Sequence, residues 1–417
     1  MLPIQHFNDH FVQLWEQSPK SFPAFGKEYS DAEKSEREQY FDEVQKKLQS
    51  IQNQPNLMRM RKSAAGTSFF PVFKSMLQGV FDFKPEQLEI ILSEEFRNVS
   101  KDFFYQAREF GPELSPEHIY QGMRNVWIMN GLQLMMDVPV EITPSVFAYS
   151  MIYPYSDNLL DDPGIDSTEK KEFSKRFSQR LHGIKVHPAS FAEKQLFELT
   201  AMFEKQFSRY DFEEVYESLY AIHNAQTESL CLSESNSLSD EETRRICFEK
   251  GGTSVLADGY LVAGKLNRQQ EQALYGYGIY LQLLDDIQDA SQDAKDGTKT
   301  MCAFEHGQNL AVFVNQTIHF GRKALEEMRC FDTKDTDTFL ALMNRSIETM
   351  IIESIGLKAE SFPADFVNAV EKFSPLHFEY VRQRKSESKS HRLAMFRKYF
   401  DQATPERIKS VMKQQLV

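Results

Sequence analysis

The sequence predicts an all-α fold, a helical bundle with an amino-terminal helical extension, and three observations carry that reading. Most long windows repeat apolar residues at three- and four-residue spacing, the pattern of a helix with one buried face. Glycine and proline, 18 and 16 of 417 residues, are too sparse to punctuate many short strands. No window alternates apolar and polar residues between turn signals for long enough to argue for a sheet.

Residues 1–110 read as a helical amino-terminal section and 111–417 as the main helical domain. The stretch from Tyr29 to Gln52 is strongly charged, as a solvated helix face would be. In FGPELSPEHIY, Gly111 and Pro112 end one helix while Ser115 and Pro116 open the next. Pro139 and Pro144 bracket a loop, with Thr143 placed to cap a helix that begins at Pro144 and stops at Pro163–Gly164. Further helices are expected over about 168–183, 188–209, 212–235, 240–265, 268–295, 307–329, 333–356 and 364–400, and a short one closes the chain. No repeat of fixed period and no low-complexity linker divides it.

Composition bounds the function. A net charge of −13 argues against a nucleic-acid partner, which needs a basic stripe to displace counterions. An anionic substrate stays open if divalent cations stand between it and the protein. No apolar run approaches the roughly 18 residues of a membrane-spanning helix. The start, MLPIQHFNDHFVQLWEQ, lacks a basic region followed by an apolar stretch, so a cytoplasmic location is the expectation. Cys231, Cys247, Cys302 and Cys330 share no metal-type spacing and read as free thiols. With 34 Phe and 16 Tyr, the chain has ring surface for a core and for lining a hydrocarbon cavity.

The strongest signal is LQLLDDIQDASQDAKDG, residues 281–297. Asp285, Asp289 and Asp293 are four residues apart, so they fan over only about 80° of one helix face. Asp286 stands beside them. Aspartate is a poor helix former and like charges at this spacing repel, so the ladder destabilises its helix unless cations neutralise it. The preceding YGYGIYLQLL is apolar and aromatic, the mark of a buried helix. A second cluster, YPYSDNLLDD at 153–162, sets Asp157 and Asp161 on one face with Asp162 adjacent. Magnesium prefers such carboxylates and shares its sphere with phosphate oxygens, so two facing acidic helices can bridge metal ions to one diphosphate. A calcium loop is a poor match, because DASQDAKDG lacks the required glycine and the terminal glutamate.

At these residues the chain resembles the class I isoprenoid synthase superfamily: trans-prenyl diphosphate synthases, terpene synthases and squalene/phytoene synthases. Asp157-Asn158-Leu159-Leu160-Asp161 is similar to the family's first DDxxD motif, with asparagine in second place. Asp285-Asp286-Ile287-Gln288-Asp289 matches the second. Asp285, Asp289 and Asp293 also fall at the ligand spacing of the terpene synthase second motif. EKGGTSVLADGYLVAG, residues 249–264, is loosely similar to the Lys-Thr helix of prenyl synthases, with two glycines between Lys250 and Thr253. The resemblance spans roughly residues 120–400.

The resemblance implies Mg²⁺, three ions, held by Asp157, Asp161, Asp162, Asp285, Asp286, Asp289 and Asp293. Among these, Asp157, Asp161, Asp285 and Asp289 carry the catalysis. It implies a prenyl diphosphate substrate and admits a homodimer. Candidate cations for the diphosphate are Arg244, Arg245, Lys250, Lys299, Arg382 and Arg384. Phe147, Tyr149, Tyr153, Tyr277 and Tyr280 are candidates for the cavity wall, and His223, Asn224 and Gln226 for polar contacts. The departures also matter. PGIDSTEKK follows the first motif without the arginine pair of elongating enzymes, and FGKEYSD has Gly26-Lys27 but no Gly-Lys-x-x-Arg segment. The expectation is therefore a one-substrate terpene synthase. Chain elongation, head-to-head condensation and, outside enzymes, a helical interaction protein are the alternatives.

Overall fold

The computed structural model describes residues 2–52, 66–160, 164–234 and 238–385, and among them every regular element is helical. The amino-terminal section holds α1 (Ile4–Glu16), α2 (Asp31–Gln52), α3 (Gly66–Gly79), α4 (Pro85–Ile91) and α5 (Glu94–Phe110). Then come α6 (Pro116–Met135), α7 (Pro144–Leu160), α8 (Ser167–Leu181), α9 (Phe191–Gln206), α10 (Glu213–Ser229) and the short α11 (Cys231–Glu234). The last group is α12 (Asp240–Ala263), α13 (Arg268–Asp296), α14 (Gln308–Glu327), α15 (Thr336–Leu357) and α16 (Ala364–Glu371), followed by a helical run over 378–385.

The expected start signals act as the chemistry requires. Ser115 Oγ accepts from the His118 amide at 3.3 Å, and Thr143 Oγ1 accepts from the Val146 amide at 3.2 Å. Ser239 with Glu242 and Asn267 with Gln270 form capping boxes for α12 and α13. Gly297, at φ 74°, ends α13 in the left-handed region that favours glycine. One expected helix is broken: 364–400 is interrupted over residues 372–377. Pro375 lies in that gap; it lacks an amide hydrogen and disfavours helical backbone at the residue before it. The part of that segment beyond 385, and the expected closing helix, lie outside the described residues.

Two cores result. The large one joins α5–α10 and α12–α16, and it also takes in α1, whose Phe7, Phe11 and Trp15 are buried. Trp15 meets Phe248 of α12 edge-on at 6.0 Å and Phe313 of α14 at 5.4 Å. The small one gathers Val44, Met76, Val80 and Leu376, with Tyr380 against it, so α2 and α3 pack with the segment after α16. The four cysteines are free thiols, Cys247 and Cys302 buried. No helix among the described residues is long and apolar enough to cross a membrane.

α12 and α13 form the spine of the large core, and glycines set their separation. A Cβ on Gly251 would lie 2.7 Å from the Gly278 carbonyl oxygen and 2.5 Å from Gln282 Cβ. The two backbones touch where those side chains are missing. The two glycines after Lys250 are thus a helix-crossing device, and they bring Lys250 beside the acidic end of α13.

Candidate active site

Asp285 lines a polar mouth of about 250 Å³ with Lys250 and Ser254 of α12, Gln282 of α13, Gln226 and Ser229 of α10, and Tyr153 and Leu160 of α7. Tyr153, Leu160 and Gln226 also line an adjoining apolar cleft of about 50 Å³. Its walls are Tyr149, Phe173, Phe177, Leu181, Leu219 and Ile222, from α7, α8 and α10. The site is therefore a charged opening over a hydrocarbon-lined slot. Tyr153 is fixed by a 2.9 Å bond between its hydroxyl and Ser254 Oγ, and the Tyr149 hydroxyl donates to the Ser254 carbonyl at 3.3 Å.

The acidic ladder of α13 climbs out of this mouth. Asp285 is half-buried, Asp289 exposed and Asp293 half-buried. Burial, then the charge of Asp289, pushes the Asp285 carboxyl above its ordinary range, while Lys250 and Arg124 pull it back. Burial raises Asp293 to about 6, although Thr300 Oγ1 donates to its Oδ2 at 3.1 Å. Asp286 stands apart from the mouth. It is buried and accepts from Gln282 Nε2 at 2.8 Å and from the Met301 amide at 3.4 Å. Desolvation raises it to about 7. It latches the 300–302 segment onto α13, with Cys302 Sγ against its own carbonyl oxygen at 3.3 Å.

Asp157 lies in the last turns of α7, and Leu160, three residues on, lines the mouth. Asp161 and Asp162 lie outside the described residues. Among the described residues no three His, Cys, Asp or Glu side chains converge on one point as a metal cage would. What is present fits a hard divalent cation in kind: oxygen donors on one helix face, kept from easy ionisation by burial and mutual repulsion that a cation would relieve.

The other candidates divide sharply. Lys250, Tyr149, Tyr153 and Gln226 line the site, and His223 lines the cleft. The remaining cations are engaged elsewhere. Arg245 pairs with Glu228 and, at 3.3 Å, with Glu249, and Arg244 pairs with Glu16 at 3.3 Å. Lys299 donates to the Leu238 carbonyl and sits 3.1 Å from Asp240, at the start of α12. Arg382 donates to the Gly356 carbonyl at 2.8 Å, and Arg384 pairs with Asp42 beside the small core. Tyr280 is core: its ring packs where Gly321 of α14 has no side chain. Phe147 meets Phe103 and Phe110 in the core, Tyr277 is buried, and Asn224 is on the exposed side of α10.

Two cations had no signal in the motifs. Arg124, exposed on α6, acts on Asp285 and makes no hydrogen bond or ion pair among the described residues. Lys358, just after α15, donates from Nζ to the Gln288 carbonyl at 2.6 Å and to that of Ile287 at 3.3 Å. Its charge lies near Asp289 and Asp293. Neither could be found from sequence spacing, because tertiary packing alone brings them to α13.

No family model matches the chain, and no curated protein does. Solved structures similar to it include a geranyltransferase from Legionella pneumophila, 13% identical, covering 65% of this chain and 99% of its own, at a TM-score of 0.39. A geranylgeranyl pyrophosphate synthetase from Geoglobus acetivorans is 16% identical over 62% of this chain and 98% of its own, with a TM-score of 0.42. One from Pyrococcus horikoshii Ot3 is also 16% identical, over 68% and 98%, with a TM-score of 0.34.

Proposed function

We propose that this chain ionises an allylic prenyl diphosphate in a magnesium-dependent reaction and passes the prenyl cation to a second substrate. The observation that carries the reading is the continuity of site chemistry. Asp285 and Lys250 face a polar mouth, and three residues of that mouth continue into a slot walled by Phe, Tyr, Leu and Ile. An amphiphile with an anionic head and a hydrocarbon tail matches that sequence of surfaces.

The chain's own groups divide the work. Asp285, Asp289 and Asp293, with the carboxylates of 157–162, would hold Mg²⁺, which when bound supplies positive charge to the departing diphosphate. Lys250 adds a fixed cation at the mouth. Tyr149 and Tyr153 are held by Ser254, so their ring faces are fixed beside the reacting end of the chain. The apolar walls of the cleft limit the access of water to the cation.

Arg124 is what favours transfer over lyase chemistry. Its guanidinium, which makes no hydrogen bond or ion pair with another described residue and whose charge reaches Asp285, supplies a cation for a second anionic substrate where the sequence motifs supplied none. Cyclisation or deprotonation, as in a terpene synthase, is the second reading, favoured by the missing arginine pair after the first motif. Diphosphate release from a 10-, 15- or 20-carbon prenyl diphosphate, assayed with Mg²⁺ and with or without isopentenyl diphosphate, separates the two. Transfer predicts that isopentenyl diphosphate accelerates release and lengthens the product; a hydrocarbon formed without it selects the lyase. No release with any of these substrates refutes both.

A further inference from the structure

We propose that His223 is the base that receives the proton lost after ionisation. The inference rests on the function proposed above and assigns a group to a step that function leaves open, since chain extension and cyclisation both end with loss of a proton from carbon.

Placement is the first argument. Along α10, Leu230 and Ser229 line the mouth, Gln226 lines both mouth and cleft, and His223, Ile222 and Leu219 line the cleft alone. Descending α10 therefore follows the path of the prenyl chain. His223 sits three residues, about 4.5 Å of helix rise, below Gln226. That is beside the first carbons of a chain whose diphosphate occupies the mouth.

The tautomer is the second. His223 Nε2 lies 3.0 Å from the Ser174 carbonyl oxygen, which can only accept, so Nε2 carries the hydrogen. Nδ1 then holds the free electron pair, and no described residue donates a hydrogen bond to it. The ring also packs edge-on against Phe177 at 5.3 Å, which fixes its plane. Burial lowers its pKa to about 4, so the imidazole stays neutral and ready to accept across the physiological range.

Elimination is the third. The other polar groups on the cleft are hydroxyls and an amide. The Tyr149 phenol is pushed well above its ordinary range by burial and keeps its proton. Among the described lining residues, His223 is the group with an available basic pair.

The step balances. The C–O bond breaks with its electron pair leaving on diphosphate. A C–H bond next to the cationic carbon then gives its pair to a new C=C bond, and the proton joins Nδ1. The positive charge moves from carbon to the imidazolium, where the Ser174 carbonyl accepts a stronger Nε2–H bond. The proton leaves to solvent once product and diphosphate have left the mouth.

The test counts products per diphosphate released, so a loss of overall rate does not enter. His223→Gln keeps an N–H for the Ser174 carbonyl, and His223→Phe keeps the apolar volume. General bases contribute about 10²–10⁴-fold, so the ratio of proton-loss product to water-captured prenyl alcohol should fall at least about tenfold in both variants. A wild-type ratio in either variant overturns the role of His223 and leaves the proposed function standing. A wild-type protein that releases no diphosphate removes the function and this role with it.

Discussion

Gly251→Ala tests how the site is built, because it perturbs the helix crossing next to Lys250 without touching a charged group. The new Cβ would lie 2.7 Å from the Gly278 carbonyl oxygen and 2.5 Å from Gln282 Cβ. Carbon and carbonyl oxygen settle no closer than about 3.3 Å, and carbon atoms at about 3.5–4.0 Å. Both close neighbours are backbone or the root of a side chain, so neither can swing away. α12 and α13 must therefore part by about 1 Å. Overpacking of this kind costs about 1–3 kcal/mol, and a gap of that width forfeits about a quarter to a half of each dispersion contact along the seam. Alanine returns up to about 1 kcal/mol of helix propensity. The net loss should be about 2 kcal/mol, roughly thirtyfold in the unfolding equilibrium, read from urea titrations. The same shift moves Lys250 relative to Asp285, and misplacement by about 1 Å can lower turnover about 10²-fold. Gly79→Ala is the comparison: its Cβ meets the Tyr40 ring at 2.7 Å in the small core, so stability falls there without displacing the mouth. Wild-type stability within about 0.5 kcal/mol, together with wild-type turnover, in Gly251→Ala would refute the account of the crossing.

Three further outcomes are expected. Asp285→Asn should abolish diphosphate release while the melting temperature holds or rises, since it removes repulsion with Asp289 from a half-buried helix face; a several-degree fall would make the carboxylate structural. Lys358→Met should lose charge-assisted bonds to the Ile287 and Gln288 carbonyls and the cation beside Asp289 and Asp293, a destabilisation of about 1–2 kcal/mol in chelator. Added Mg²⁺ should restore part of it, and calorimetric titration showing no change in Mg²⁺ dependence would count against the role of Lys358. His223 supplies a pH dependence: its native pKa of about 4 lies below the ordinary 6.5, so between those values the unfolded chain binds the extra proton. Stability should be unaffected by this residue above pH 6.5 and fall by about 3 kcal/mol as pH drops towards 4. His223→Gln should flatten that part of the curve, and an unchanged slope would show that the ring is not buried neutral.

Local chemistry was legible in the sequence and long-range geometry was not. The starts of α6 and α7 follow from the Ser115 and Thr143 caps, which need only a few neighbouring residues, and the Asp285–Asp289–Asp293 ladder follows from helical period alone. Asp286 shows the limit. It is adjacent to Asp285 and the same residue type, yet the 300–302 segment folds onto it and makes it a latch. Proximity in sequence also misjudged the cations. Arg245 and Lys299 sit near the motifs in the chain but answer to Glu228 and Leu238, and Arg382, on the carboxy-terminal segment, answers to Gly356. Arg124 and Lys358 arrive from distant helices by packing. Tyr280, read as a cavity ring, is held in the core because Gly321 leaves room for it.

These placements share one physical cause. A buried helix that carries an anionic ladder is unstable in isolation, so the surrounding fold must hold it before any cation arrives. Asn267 and Gly297 fix its ends. Close contact at Gly251 and Gly278 fixes its middle against α12, and Lys358 binds the carbonyls of the turn between Asp285 and Asp289. With the helix fixed at those points, repulsion among the aspartates cannot be relieved by backbone movement. Burial first, with that repulsion added to it, holds the carboxyl pKa values of Asp285 and Asp293 above their ordinary range. A divalent cation is then the cheapest relief left to the site. The same rigidity fixes the distance from Lys250 and Asp285 to the cleft below, so a prenyl diphosphate would meet a site already in place.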